Sequence, residues 1–162
     1  MWSRAPRPPS SVATAVREHA LVTSELDGDR WLVLTRTEVV LVAEDGVVWR
    51  HPWHEVERGD WDGGTHTLTV HWVGERAPSA LVTREEHPRD MPLLFRERVD
   101  ASVVHVETEP ARGGGTLRAA VRRTADGELI TQVIGVGRVR PGAELDAQID
   151  ALEARVREAV GL

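Results

Sequence analysis

The chain has 162 residues, of which 41% are hydrophobic and 28% charged, and this balance is typical of a folded domain. A formal net charge of -6 disfavours non-specific binding to nucleic acids or anionic lipids. Cysteine and lysine are absent, which excludes disulfides, thiolate catalysis and lysine Schiff bases. No apolar run approaches the ~20 residues of a membrane helix, and no secretory signal is recognisable. The sequence therefore predicts a cytoplasmic protein that does not enter membranes.

The first part of the chain predicts a series of short strands followed by a helix. Residues 1–12 are rich in proline, serine and arginine, and we expect them to form a disordered tail. Turn signals divide residues 20–83 into about seven strands, and Asp45-Gly46 is a strong hairpin turn. Pro52 is expected to break the strand ladder. Apolar residues at helical spacing then predict a helix over residues 90–101.

The remainder of the chain predicts a second unit with a different core, because no aromatic residue follows Phe95. Three strands with alternating apolar residues precede a helix near the C-terminus. The apolar stripe of this helix consists of Leu145, Ile149, Leu152, Val156 and Val160. We expect the stripe to pack on the sheet face made by Leu117, Ala119 and Val121.

Seven antiparallel strands followed by a closing helix is the element order of the pleckstrin-homology (PH) fold. The sequence also resembles a family of small actinobacterial proteins with an N-terminal bacterial PH-like domain. The stretches that carry this resemblance are residues 27–33, 52–56, 61–62, 97–104 and 122–123. The resemblance implies a fold and a lineage, and it implies no activity and no catalytic residue.

The expected fold class is therefore α+β, in two units. Residues 13–103 are expected to form a PH-like antiparallel β-barrel closed by a helix. Residues 104–162 are expected to form a three-stranded antiparallel sheet covered by the C-terminal helix. PH-like domains that bind phosphoinositides use basic residues in the first hairpin loop. Residues 27–30 contain two acids and one arginine, so headgroup binding is not expected.

Histidines and acids cluster around His51, His54 and Glu55. Imidazole and carboxylate groups bind zinc, and histidines three residues apart occur in such sites. Pro52 and the surrounding strand signals argue against the helix that a zinc-protease motif needs. We therefore predict no metal, no cofactor and no catalytic residue. A hydrolase or metal site around these histidines remains the alternative.

Tryptophans and arginines supply the candidate binding residues. Trp53, directly after Pro52, is the ring that we expect to be partly exposed, whereas the strand tryptophans are expected in the core. Residues 110–142 carry six arginines against two acids. By strand parity, Arg118 and Arg122 project from the face opposite Leu117, Ala119 and Val121, and Arg123 follows them. We expect these arginines to face one of three things, namely an anionic ligand, the acidic first unit or solvent.

The composition and the fold expectation favour a non-enzymatic protein-interaction or adaptor module. Its protein partner and oligomeric state are not indicated, and no specific nucleic acid or membrane is expected as a partner. The alternative is a binder of an anionic ligand, such as a nucleic acid, a phosphate or an acidic peptide, through the arginine-rich second sheet.

Overall fold

The computed structural model describes residues 7–85 and 90–162, and the chain divides into two compact units, residues 1–100 and 101–162. The helices are α1 (Ser10–Ala15), α2 (Asp90–Ser102) and α3 (Ala143–Ala159). The strands are β1 (Ala20–Leu26), β2 (Arg30–Thr35), β3 (Glu38–Ala43), β4 (Gly46–Pro52), β5 (Val56–Asp62), β6 (Thr67–Trp72), β7 (Ser79–Val82), β8 (Val103–Pro110), β9 (Thr116–Arg123) and β10 (Leu129–Val136). Three antiparallel sheets and the helices confirm the predicted α+β class.

Local turn chemistry places the strands of the first unit. β4 begins at Gly46, whose φ of 126° lies in a region that side-chain-bearing residues rarely adopt. The ladder ends at Pro52 as predicted, because this residue, opposite Glu38 on β3, is the last of β4. Proline is tolerated at such a strand end, where its missing N–H removes little of the ladder.

The strands of the first unit form a four-stranded sheet in the order β1-β2-β3-β4 and a three-stranded sheet in the order β5-β6-β7. A bridge between Leu26 and Thr83 joins the sheets at one corner, where the Asp27 amide donates to the Val82 carbonyl at 2.9 Å. A single 3-10 turn, Trp53–Glu55, connects β4 to β5, but these strands do not pair. Among the described strands, the predicted closed barrel is therefore not found.

One apolar core joins both sheets of the first unit to α2. The helix contributes Met91, Phe95 and Val99, all of which are buried. The sheets contribute Leu26, Leu32, Leu34, Val39, Leu41, Val56, Leu68, Val70, Trp72 and Leu81, and the 3-10 turn contributes Trp53. The spacing of the three α2 residues, at i, i+4 and i+8, is the reason that one face of this helix is buried.

Gly59 on β5 allows α2 to approach this strand closely. A Cβ atom at residue 59 would lie 2.5 Å from Cε1 of Phe95, and real Cβ contacts of this length are essentially never seen. We predict that Gly59→Ala lowers the free energy of unfolding by about 1–3 kcal/mol, the usual cost of overpacking a core.

Chemical denaturation checks this prediction. In a Phe95→Leu background, Gly59→Ala should cost clearly less, because the shorter side chain makes room for the added methyl group. Equal costs in both backgrounds would contradict the assignment of the strain to Phe95.

The outer face of the four-stranded sheet carries a separate apolar cluster. Trp31 and Val33 of β2 and Val40 and Val42 of β3 pack there with Val12 of α1. The predicted disordered tail is therefore wrong from residue 10 onwards, because burial of Val12 on the sheet orders this short helix. Residues 1–6 of the predicted tail lie outside the described residues.

The second unit is a three-stranded sheet, in the order β10-β9-β8, with α3 on one face. Leu145, Leu152 and Val156 of α3 pack with Leu117, Ala119 and Val121 of β9, as the two apolar patterns predict. Ile149 and Val160 of the predicted stripe are partly buried against the same cluster. The second core is therefore aliphatic throughout.

Candidate functional site

Trp53 is not the exposed ring that the sequence suggests. Its side chain is only 4% exposed, and its indole Nε1 donates a hydrogen bond to the Thr35 carbonyl at 3.0 Å. The 3-10 turn after Pro52 directs the ring into the core, where it meets Phe95 edge to face at 5.3 Å. Trp53 therefore belongs to the core rather than to a binding surface.

The three candidate arginines do not form one exposed surface. Arg122 is 1% exposed, and its Nε and Nη2 atoms donate to the Ser102 hydroxyl at 3.1 and 2.6 Å. Arg118 is half-buried on the same face of β9, whereas Arg123 is exposed at the strand end and has the opposite parity. The expectation that Arg122 projects from an uncovered face is therefore wrong. On that face of β9, Arg118 is the one candidate arginine that an anionic ligand could contact.

The region around His51 forms a cluster of aromatic rings and charged groups, here called the ring cluster. His51 Nδ1 lies 2.7 Å from a carboxylate oxygen of Glu55, and Nη1 of Arg76 lies 2.8 Å from His51 Nε2. The same Nη1 atom also lies 3.2 Å from His51 Nδ1, so the guanidinium stands over the imidazole ring rather than in line with one of its nitrogens. No group of three histidine or acidic side chains within residues 7–85 and 90–162 is arranged to hold a metal ion.

Two indole rings complete this cluster. The His51 ring lies 4.5 Å from the Trp72 ring and 5.4 Å from the Trp49 ring, and the two indoles meet edge to face at 5.2 Å. The Arg76 guanidinium stands 5.3 Å from the centre of the Trp72 ring, within cation–π range. Arg76 is exposed and Trp49 is half-buried, so the cluster reaches the surface at its outer end.

The ring cluster adjoins a free sheet edge. β4 is the last strand of its sheet, and among the described strands it pairs with β3 alone. A bulge in β4 lies opposite the Leu41–Val42 step of β3, and Val47 and Val48 beside it are 39% and 54% exposed. Natural proteins protect such edges with charges, prolines or bulges, and beside this bulge two adjacent valines leave apolar side chains at the edge.

We call this region the β4 edge surface and define it by Val47, Val48, Trp49, His51 and Arg76. It combines a strand edge with no partner strand among the described residues, two exposed aliphatic side chains, a half-buried indole and one exposed cation. Such a surface accepts an extended peptide by main-chain hydrogen bonds, with the side chains supplying selectivity. Sequence reasoning singled out His51 but missed the two valines, although a run of apolar residues after a hairpin turn was visible.

In the second unit, Arg155 of α3 forms ion pairs with two acids of β8. Its Nε lies 2.7 Å from Glu107 and its Nη2 lies 2.5 Å from Glu109. Hydrogen bonds from Arg155 and His105 lower the pKa of Glu107, and those from Gln148 and Arg155 lower the pKa of Glu109. This network fixes α3 to the sheet.

These lowered pKa values predict that the second unit loses stability in acid. A carboxylate whose folded pKa is depressed stabilises the fold above its unfolded pKa of about 4.3, and this contribution disappears as the pH falls through the folded pKa. We expect the free energy of unfolding to fall as the pH drops below about 4.5. Arg155→Met should weaken this pH dependence, and urea unfolding at several pH values followed by circular dichroism measures it. If the free energy of unfolding of the variant depended on pH as steeply as that of the unmodified chain, the stabilising role of the Arg155 ion pairs would be contradicted.

Among the described helices, none has both the length and the apolar character that a membrane crossing requires. The sequence matches no protein-family model and no curated protein.

Proposed function

We propose that this chain is a non-enzymatic protein-interaction module whose first unit is PH-like. A four-stranded and a three-stranded antiparallel sheet followed by a helix support the PH-like assignment, because this is the element order of that fold. The burial of α2 through Met91, Phe95 and Val99 supports it further, since the PH fold uses its last helix to close the core. The proposal agrees with the resemblance to the actinobacterial PH-like proteins.

The observation that carries the proposed function is the β4 edge surface. An edge strand offers a row of backbone donors and acceptors to any extended segment that lies alongside it. Val47 and Val48 add apolar contact area, and Arg76 adds a cation that pairs with a carboxylate on the incoming segment. The expected partner is therefore an extended peptide segment with apolar residues and at least one acid.

Selection from a random peptide library displayed on phage tests this proposal without knowledge of the natural partner. The full chain should enrich extended sequences that combine apolar and acidic residues. Val48→Lys should weaken the dissociation constant of an enriched peptide at least tenfold, because a charge on an edge strand opposes strand addition. The melting temperature should stay unchanged, since Val48 is exposed.

Leu93→Lys is the matched control, because Leu93 is an exposed apolar residue of α2 that lies on no strand edge. This variant should bind the peptide like the unmodified chain. A library without any enriched peptide, or equal effects of the two lysine variants, would refute the β4 edge surface as a binding site.

A further inference from the structure

The two central strands of the first sheet are apolar on both faces. Leu32 and Leu34 of β2 point into the main core, while Trp31 and Val33 point to the outer face. β3 repeats this pattern, with Val40 and Val42 on the outer face. Antiparallel sheets that face water on one side normally alternate apolar and polar residues. The outer face of this sheet is therefore built to be covered.

Among residues 7–85 and 90–162, the cover on this face is small. α1 has six residues, buries only Val12 completely and has no side-chain hydrogen bond at its N-cap. Helices of this length do not form by themselves in water, so α1 owes its structure to the sheet. Besides the apolar contact, Arg50 holds it by donating from Nη2 to the Ala15 carbonyl at 2.7 Å.

Two open grooves flank α1 on this face, each of about 310 Å³. The first is lined by Val12, Val16, Ala20 and Val33, with Glu18 at its rim. The second is lined by Val12, Trp31 and Ala43, with Asp29 and Glu44 at its rim. The apolar surface of the described residues is thus wider than the six-residue helix that lies on it. His19 also lines the first groove, and in the second Arg84 pairs with Asp29 at 3.1 Å while Glu44 adds a further acid.

We propose that this outer face is a docking site for a basic amphipathic helix of a partner protein, and that α1 occupies the site in the unliganded chain. A helix is the expected occupant because the face already accommodates one. A basic helix is expected because Asp29 and Glu44 border the second groove, and an apolar stripe wider than that of α1 would fill both grooves.

The anchor that follows α1 allows this exchange without loss of the fold. Glu18 accepts hydrogen bonds from the hydroxyls of Thr35 and Thr37 and from the Thr37 amide, the last at 2.8 Å. Burial raises the pKa of Glu18, but these hydrogen bonds outweigh it and lower the pKa. The chain is therefore fixed at residue 18, and α1 can leave the sheet while β1 stays in place. This site lies on the face of the sheet and not on the β4 edge surface, so each proposal can be tested and refuted without the other.

A synthetic amphipathic peptide of leucine and arginine, about four helical turns long, is the probe, and a scrambled peptide of the same composition is its control. Isothermal titration calorimetry with the full chain measures both affinities. Val12→Glu removes the buried contact of α1 and should tighten binding of the amphipathic peptide about tenfold. While α1 occupies the site, the apparent affinity is the intrinsic affinity multiplied by the fraction of molecules whose site is open, and the substitution raises that fraction. Ala154→Glu, which adds the same charge at an exposed position of α3 and leaves α1 untouched, should leave the affinity unchanged.

A charge reversal tests the acidic rim in a folded background. Glu44→Arg should weaken peptide binding several-fold, whereas Glu158→Arg, at an exposed position of α3, should not. Equal binding of the scrambled peptide, or an unchanged affinity in Val12→Glu with the melting curve intact, would overturn the proposal. If Val12→Glu does not fold, an equal effect of the two arginine variants overturns it.

Discussion

Arg122→Glu is expected to lower the free energy of unfolding of the second unit by about 3–5 kcal/mol, the range seen when one partner of a buried charged contact is removed. Arg122 is almost completely buried, and two of its nitrogen atoms donate to the Ser102 hydroxyl. The substitution replaces these donors with a shorter carboxylate of opposite charge, which burial disfavours strongly. Urea unfolding followed by circular dichroism measures the loss.

Arg118→Glu is the matched control for this experiment. Arg118 lies on the same strand and the same face, four residues from Arg122, but it is only half-buried. Its charge reversal should cost less than about 1 kcal/mol, as for other partly solvated charges. Similar costs for the two variants would show that Arg122 reaches solvent, which would restore the arginine-rich face as a candidate surface for an anionic ligand.

Leu152→Ala is expected to lower the free energy of unfolding by about 2–5 kcal/mol, as other truncations of fully buried leucines do. Leu152 is completely buried and packs with the aliphatic residues of β9. The loss combines the transfer of the removed methyl groups with the cavity left beneath α3. Leu162→Ala, at a residue that is 50% exposed, is the matched control and should change stability by less than about 0.5 kcal/mol. A cost under about 1 kcal/mol for Leu152→Ala would mean that the stripe of α3 is free to bind a partner.

Local chemistry made most of the elements predictable. Gly46 and the alternation in β6 determine where strands turn and which side chains point inwards, and both depend only on near neighbours in the chain. The packing of α3 on β9 was predictable for a similar reason, because each element carries a single apolar face. A helix with one apolar stripe beside a sheet with one apolar face has few ways to bury both.

The errors at Trp53 and Arg122 have a common cause, because burial depends on distant parts of the chain. Pro52 indicated an interruption in the strand, but the direction of the following ring is set by the 3-10 turn and by Phe95. Strand parity placed Arg122 on the correct face, but Ser102, its hydrogen-bond partner, lies twenty residues away at the end of α2. The spacing of residues within β9 cannot predict a contact with a residue outside this strand.

The outer face of the first sheet shows a third kind of limit. The apolar runs in β2 and β3 are evident in the sequence, and they indicate a sheet covered on both sides. The segment that covers the second side is a proline- and serine-rich stretch without helical periodicity, so its composition indicated disorder. The sheet, rather than the sequence of α1, supplies the free energy that orders this helix.

Amide NMR titration of the full chain with a peptide enriched from the library decides most directly whether this protein is an interaction module with its binding edge at β4. The expected result is that the largest shift changes fall on the backbone amides of β4 and on the Trp49 indole, with smaller changes at Arg76. Changes confined to β8, β9 and β10 would contradict the β4 edge surface and would place the interaction on the second unit instead.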